Sequence, residues 1–246
     1  MPVHPNLQSL FTDIADSIRS KTGSSAPIVA DKFPDTIRSI EADHAVEDDI
    51  VRRYLKTYTN ERITEVGPYA FAANTSLRSV DLPNVERIYS YAFLDSESLN
   101  SVNCPNLLAI NPYAFSGCIG LEQFLSQKLA EIHTHAFGSC RLLVKVDIFG
   151  EGVSLSGVAA PGRIYRECFS GTRLSTLIIR SKNVIPTIEE DIFGDPKYPD
   201  ELCPIGKDDG YIYVPASMVE AYKADANWSK FASQIRAIED YPEICG

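Results

Sequence analysis

Two imidazoles sit two residues apart in the stretch EIHTHAF, at His133 and His135. From an extended segment such a pair points the same way and can ligate a metal ion together. His135, however, stands where Tyr69, Tyr91 and Tyr113 stand, two residues before a phenylalanine, and His133 falls at a variable position. Structural or solvent-facing histidines are therefore expected, and no metal site is assigned. Cys118 and Cys140 each follow a phenylalanine by three residues. A nucleophilic thiol needs a base and an electropositive setting, whereas this repeated place reads as a row of sulfurs inside a coil.

Two further stretches have the residue types of a binding loop. Gly150 and Gly152 in FGEGVSLSGVAAPGR, residues 149–163, begin like a phosphate cradle. A third glycine in register and a following Lys-Ser or Lys-Thr are missing, so with Pro161 the stretch reads as a loop. Glu41, Asp43, Glu47, Asp48 and Asp49 in EADHAVEDD, residues 41–49, stand without a Lys or Arg among them. A calcium loop requires alternating Asp or Asn around a central glycine, so a solvated linker is expected. No catalytic residue and no cofactor is assigned, and a solenoid-bound hydrolase dependent on His133 or His135 is not expected.

The elements that must carry any function are set by the whole chain. Its 246 residues, 44% of them apolar, suffice for a buried core in one elongated or two compact domains. Lys and Arg number 23 against 33 Asp and Glu, a net charge of -10, and no basic cluster stands out. Nucleic acid is an unsuitable partner for such a surface. No apolar run approaches the roughly 20 residues of a spanning helix, and the first 30 residues lack a basic start followed by an apolar stretch, so neither membrane insertion nor signal-peptide secretion is expected. The six cysteines show neither CxxC pairs nor dense spacing, and reduced, internal thiols are expected.

The dominant pattern is a repeat. Phe71, Phe93, Phe115 and Phe137 are each 22 residues apart. Five residues before them stand Val66, Ile88, Ile110 and Ile132, and six after them Leu77, Leu99, Leu121 and Leu143. Nine after them come Val80, Val102, Phe124 and Val146. A unit this short cannot cover its own apolar face, so successive units must stack as a solenoid. The Leu-x-x-Val-x-apolar portion alternates like a short strand, predicting a parallel ladder about 4.8 Å per step. The Ile-x-x-Tyr-Ala-Phe portion predicts a tight helical turn, with the phenylalanines stacked in a spine. Phe169, preceded by Ile164, resumes the register after the insertion at 149–163, and Ile188 and Phe193 form a last degenerate copy.

Both ends depart from the repeat. Toward the C-terminus, Tyr211 to Val214 predicts a last strand, Pro215 a helix start with Met218, Ala221 and Tyr222 on one side, and Trp228 a seal on the core. At the front, Leu7, Leu10, Phe11, Ile14 and Ile18 form a helical stripe stopped by Gly23, and DKFPDTIRSI predicts a second short helix. The expected organisation is a helical docking or oligomerisation module at 1–45, a connecting segment at 46–62, the solenoid at 63–195 and a cap at 196–246.

The units VGPYAFAANTSLRSVDLPNV, IYSYAFLDSESLNSVNCPNL and INPYAFSGCIGLEQF resemble BspA-type leucine-rich repeats over roughly residues 63 to 240. Departures fall at His135, at the insertion and at Cys168, which takes an alanine position. The resemblance implies an α/β-type repeat solenoid and a recognition role, as in bacterial adhesins, rather than catalysis. The opening LFTDIADSIRSKTGSSAPIVADKFPDTIRSI is similar to N-terminal segments of tail-associated virion proteins from phages and prophages of Gram-positive bacteria. Together they imply a non-enzymatic virion component, tail- or capsid-associated, that docks to other virion proteins through Leu7, Leu10, Phe11, Ile14 and Ile18 and forms a homo-oligomer. A bacterial cell-surface adhesin is the alternative. A parallel ladder aligns outward residues in columns, here Ser79, Ser101, Gln123, Lys145 and Thr176 beside Asp81, Asn103, Leu125, Asp147 and Ile178. That ribbon, apolar from Leu125 to Ile178, is the expected grip for a host-surface protein or glycan.

Overall fold

A chain that must turn the same residue inward every 22 positions returns to one line after each coil, and its strands are then parallel by construction. The computed structural model describes residues 55–126, 128–148, 162–198, 200 and 202–245. The expected N-terminal module with Leu7, Leu10, Phe11, Ile14 and Ile18, the acidic stretch 41–49 and residues 149–161 of the insertion lie outside the described residues.

Two walls of parallel strands enclose one core. The long-strand wall consists of β1 (Thr57–Thr59), β3 (Ser79–Asp81), β5 (Ser101–Asn103), β7 (Gln123–Ser126), β9 (Lys145–Ile148), β11 (Thr176–Ile179), β13 (Tyr211–Val214) and β14 (Ile235–Ala237). It is a three-stranded sheet, β1 to β5, followed by a five-stranded one, β7 to β14. The opposite wall has two-residue strands: β2 (Glu65–Val66), β4 (Arg87–Ile88), β6 (Ala109–Ile110), β8 (Glu131–Ile132), β10 (Arg163–Ile164) and β12 (Thr187–Ile188). These are built around the aliphatic residue five before each phenylalanine, a second ladder that the sequence reading did not foresee. Arg163 pairs with Glu131, so the insertion has rejoined the register before its expected end.

Among the described residues the ladder starts at Thr57, inside the stretch assigned as a connecting segment, because Tyr58 pairs with Val80 and packs on Phe71 at 4.9 Å. Its coil was hidden because the phenylalanine position, 22 before Phe71, holds Asp49.

The Tyr-Ala-Phe segments are chains of hydrogen-bonded turns, not helices. Tyr69, Tyr91, Tyr113 and His135 all have φ between 52° and 62°, the left-handed region, which a right-handed helix cannot include. Amides that a helix would use internally bond sideways instead: Phe71, Phe93 and Phe115 N–H donate to the carbonyls of Ala92, Ala114 and Ala136 at 2.7–2.8 Å. Left-handed φ costs an L-residue about 1–2 kcal/mol. The four rings stack on one another at 4.9–5.2 Å, and stacking contributes about 0.5–1.5 kcal/mol per pair, enough to offset much of that cost.

The expected phenylalanine spine is present. Phe71, Phe93, Phe115 and Phe137 are stacked at 5.0, 5.1 and 5.4 Å with interplanar angles of 3–6°. Phe169 and Phe193 continue it at 5.8 and 6.1 Å, so the inserted loop does not interrupt the core.

Among the described residues α-helices are few and confined to the far end: α1 (Val219–Ala224), entered by a 3-10 turn at Ala216–Met218, and α2 (Pro242–Cys245). Tyr222 is buried as expected, while Ala221 is exposed because it lies on the outer side of so short a helix. Trp228 is fully buried, donates from Nε1 to the Pro186 carbonyl at 2.8 Å, and meets Tyr222 edge to face at 5.3 Å. Phe231 meets Phe193 edge-on at 5.1 Å, ending the spine. Beyond β13 comes β14, where Arg236 lies over Tyr211 and donates to the carbonyls of Ser233 and Ile235, occupying acceptors of the terminal strand.

Candidate functional site

The outward columns of the long-strand wall follow from pairing. Ser79 stands opposite Ser101 and Asp81 opposite Asn103, whose Nδ2 donates to Asp81 Oδ1 at 2.7 Å. Gln123 stands opposite Lys145, Leu125 opposite Asp147, Lys145 opposite Thr176 and Asp147 opposite Ile178. Asp81, Ser101, Asn103, Gln123 and Leu125 are exposed, Ser79 half-buried, and Leu125 keeps 48% of its surface in solvent. This N-terminal half is an open ribbon of hydroxyl, amide and carboxylate groups ending in one aliphatic side chain.

The C-terminal half differs from expectation. Asp147 and Ile178, assigned outward places, are 2% and 0% exposed. Asp147 accepts from Arg180 Nε at 2.8 and 3.0 Å and from Nη2 at 2.6 Å. Ile178 packs with Tyr213 and Cys245, and Lys145 Nζ donates to the Ile244 carbonyl. Residues from Ile238 onward lie across this half of the wall, so the continuous apolar strip from Leu125 to Ile178 does not exist. Thr176 remains half-buried, and Tyr211, in its column, is 45% exposed. Arg180, Tyr211 and Tyr213 were missed, although the alternation of YIYV marked the latter two as flanking the inward Ile212.

A second organised surface runs along the stacked Tyr69, Tyr91, Tyr113 and His135. His135 Nε2 lies 3.2 Å from Glu167 Oε2, while His133 stacks on Tyr165 at 4.3 Å and approaches Glu131 at 3.3 Å. The two histidines thus turn to different carboxylates. Among the described residues no group of three or more His, Cys, Asp or Glu is placed to hold a metal ion.

All six cysteines are free and buried. The sulfur row is real: Cys118 donates to the Phe93 carbonyl at 3.1 Å and Cys140 to that of Phe115 at 3.0 Å, as Ser96 Oγ donates to Phe71 at 2.6 Å. Burial pushes the Cys104 and Cys140 thiols up to about 12 and that of Cys203 to about 11, and raises Cys118 and Cys168 further from ionisation. A thiolate nucleophile is thereby disfavoured. The folded chain is expected to leave these thiols unlabelled by a disulfide reagent at pH 8, and all six to react once urea unfolds it. Because the folded state holds the protons more tightly, their contribution to stability is complete below the ordinary thiol range and declines from about pH 9 to pH 12, measurable as a falling denaturation midpoint. Rapid labelling of several thiols in the native protein would contradict the packing.

The fold defines a class, the leucine-rich-repeat solenoid. Residues 55–158 match the BspA type leucine rich repeat region in six copies. Among solved structures the chain is similar to the pneumococcal vaccine antigen PcpA, with 18% identity and a TM-score of 0.50 over 75% of this chain and 40% of that one. It also matches a leucine-rich repeat protein from Bacteroides ovatus at 17% identity and a TM-score of 0.31, over 64% of this chain and 47% of that one. The chain therefore spans less than half the length of either. No curated protein matches the sequence. Among the described residues no helix is long and apolar enough to cross a membrane.

Proposed function

We propose that this chain is a non-enzymatic recognition protein that binds a protein or glycan at a cell surface through the open half of its long-strand wall. The observation that carries the reading is the registered pairing of Ser79 with Ser101 and of Asp81 with Asn103, followed by the exposed Gln123 and Leu125 on the first strand of the next sheet. A rigid ladder holds such groups in place before contact, which lowers the ordering cost of binding. The similarity in fold to the pneumococcal vaccine antigen PcpA is consistent with an adhesin, and the net charge of -10 favours partners other than nucleic acid.

A second reading places the same recognition wall on a phage particle, docked and oligomerised through Leu7, Leu10, Phe11, Ile14 and Ile18. The apolar stripe of these five residues and the likeness of the opening segment to virion proteins support it. Mass spectrometry of purified particles and of cell-wall fractions separates the two: recovery from walls supports the adhesin, recovery from particles the virion component.

The common claim is tested by binding the tagged chain to an array of surface proteins and glycans. Leu125→Asp is expected to lower binding about tenfold with an unchanged melting transition, since an exposed side chain contributes little to stability. Full binding by Leu125→Asp and by Asn103→Ala would overturn the assignment of this wall.

A further inference from the structure

Residues 238–245 pack on the outer side of the long-strand wall and not into the solenoid. They make a hydrophobic cluster of their own, in which Ile178, Tyr213 and Cys245 are joined by Ile238, Tyr241 and Ile244, separate from the main core. Tyr241 meets Tyr213 edge to face at 5.3 Å. The carbonyls at the end of a helical turn have no internal partner and carry its negative end. Here the wall supplies a cation to each of two: Lys145 Nζ donates to Ile244 O and Arg180 Nη2 to Cys245 O, both at 2.5 Å. Asp147 holds Arg180 in place with its two oxygens. The two cations thus meet backbone carbonyls of the segment, while its Glu239 accepts from the Ala216 amide at 2.8 Å. Because this cluster is distinct from the main core, release of the segment is a local opening and not global unfolding.

We propose that this half of the long-strand wall is a peptide-binding site, occupied by the chain's own residues 238–245 and opened to an external peptide of the same chemistry. That chemistry is one helical turn with an aromatic residue, an aliphatic residue three positions later and two carbonyls free for capture. The site thereby joins the open ribbon at Leu125, and displacement of the segment lengthens the recognition face. The inference rests on reading this wall as a recognition surface.

The test uses the full chain carrying Tyr241→Glu and Ile244→Glu, which detaches the segment, and a fluorescent amidated peptide of residues 237–245 bearing Cys245→Ser. Fluorescence anisotropy is expected to show the detached chain binding the peptide about tenfold more tightly than the unmodified chain, whose own segment competes. Adding Lys145→Met to the detached chain is expected to weaken the peptide about tenfold, the scale of one charge-assisted hydrogen bond. In the unmodified chain, hydrogen exchange is expected to release the amides of Ile244 and Cys245 well before those of β11. Absence of peptide binding, indifference to Lys145→Met, or exchange of both sets only on global unfolding overturns the proposal. A concentration-dependent dimer lost on detachment gives the site to a second copy and overturns it too. If the peptide fails while Leu125→Asp still abolishes surface binding, only this inference falls.

Discussion

Replacing Phe115 by alanine is expected to remove about 3–5 kcal/mol of stability, the usual cost of deleting a fully buried aromatic ring. Phe115 is inaccessible to solvent, lies between Phe93 at 5.1 Å and Phe137 at 5.4 Å, and also meets Phe124 at 5.7 Å. The ladder hydrogen bonds on either side keep the coils at their spacing, so the void cannot close. In a solenoid each coil contacts only its neighbours, and the loss falls on the two interfaces that hold the halves of the molecule together. Urea unfolding read by far-ultraviolet circular dichroism should show a lower midpoint, with the transition broadening if the halves uncouple. Phe71→Ala should cost less, since its ring contacts are Phe93 on one side and the tilted Tyr58 on the other. A loss under about 1 kcal/mol for Phe115→Ala would mean that the spine is not what couples the coils.

Arg180→Ala is expected to cost a similar amount for an electrostatic reason. Asp147 is 2% exposed and its carboxylate is held by the forked guanidinium. Removing one member of a buried pair strands the other charge out of water and costs about 3–5 kcal/mol, whereas replacing both by apolar residues is often neutral. The double variant Asp147→Leu, Arg180→Met should therefore recover most of the midpoint lost by Arg180→Ala. The single variant also loses the bond to the Cys245 carbonyl, so residues 238–245 should become sensitive to proteolysis. If the double variant is no more stable than the single one, the pair is not the source of the loss.

The sequence by itself determined the repeat, and with it the parallel ladder, the phenylalanine spine, the internal thiols and the Trp228 seal. These are translationally related: one coil's inward positions specify the next coil's, so a period of 22 carries the information of the whole core. The left-handed tyrosines that replace a helical turn with sideways hydrogen bonds were invisible to periodicity, which records where a side chain points and not which carbonyl its amide selects. The second wall of two-residue strands was present only as an aliphatic slot. What the tertiary structure alone decided was the fate of the ribbon's far half. Asp147 and Ile178 occupy outward places in the pattern, yet they are covered by contacts such as Lys145 to Ile244 and Arg180 to Cys245, separated by 99 and 65 residues. Such contacts occur once, obey no period, and depend on where the cap folds back in space, so no local pattern could announce them.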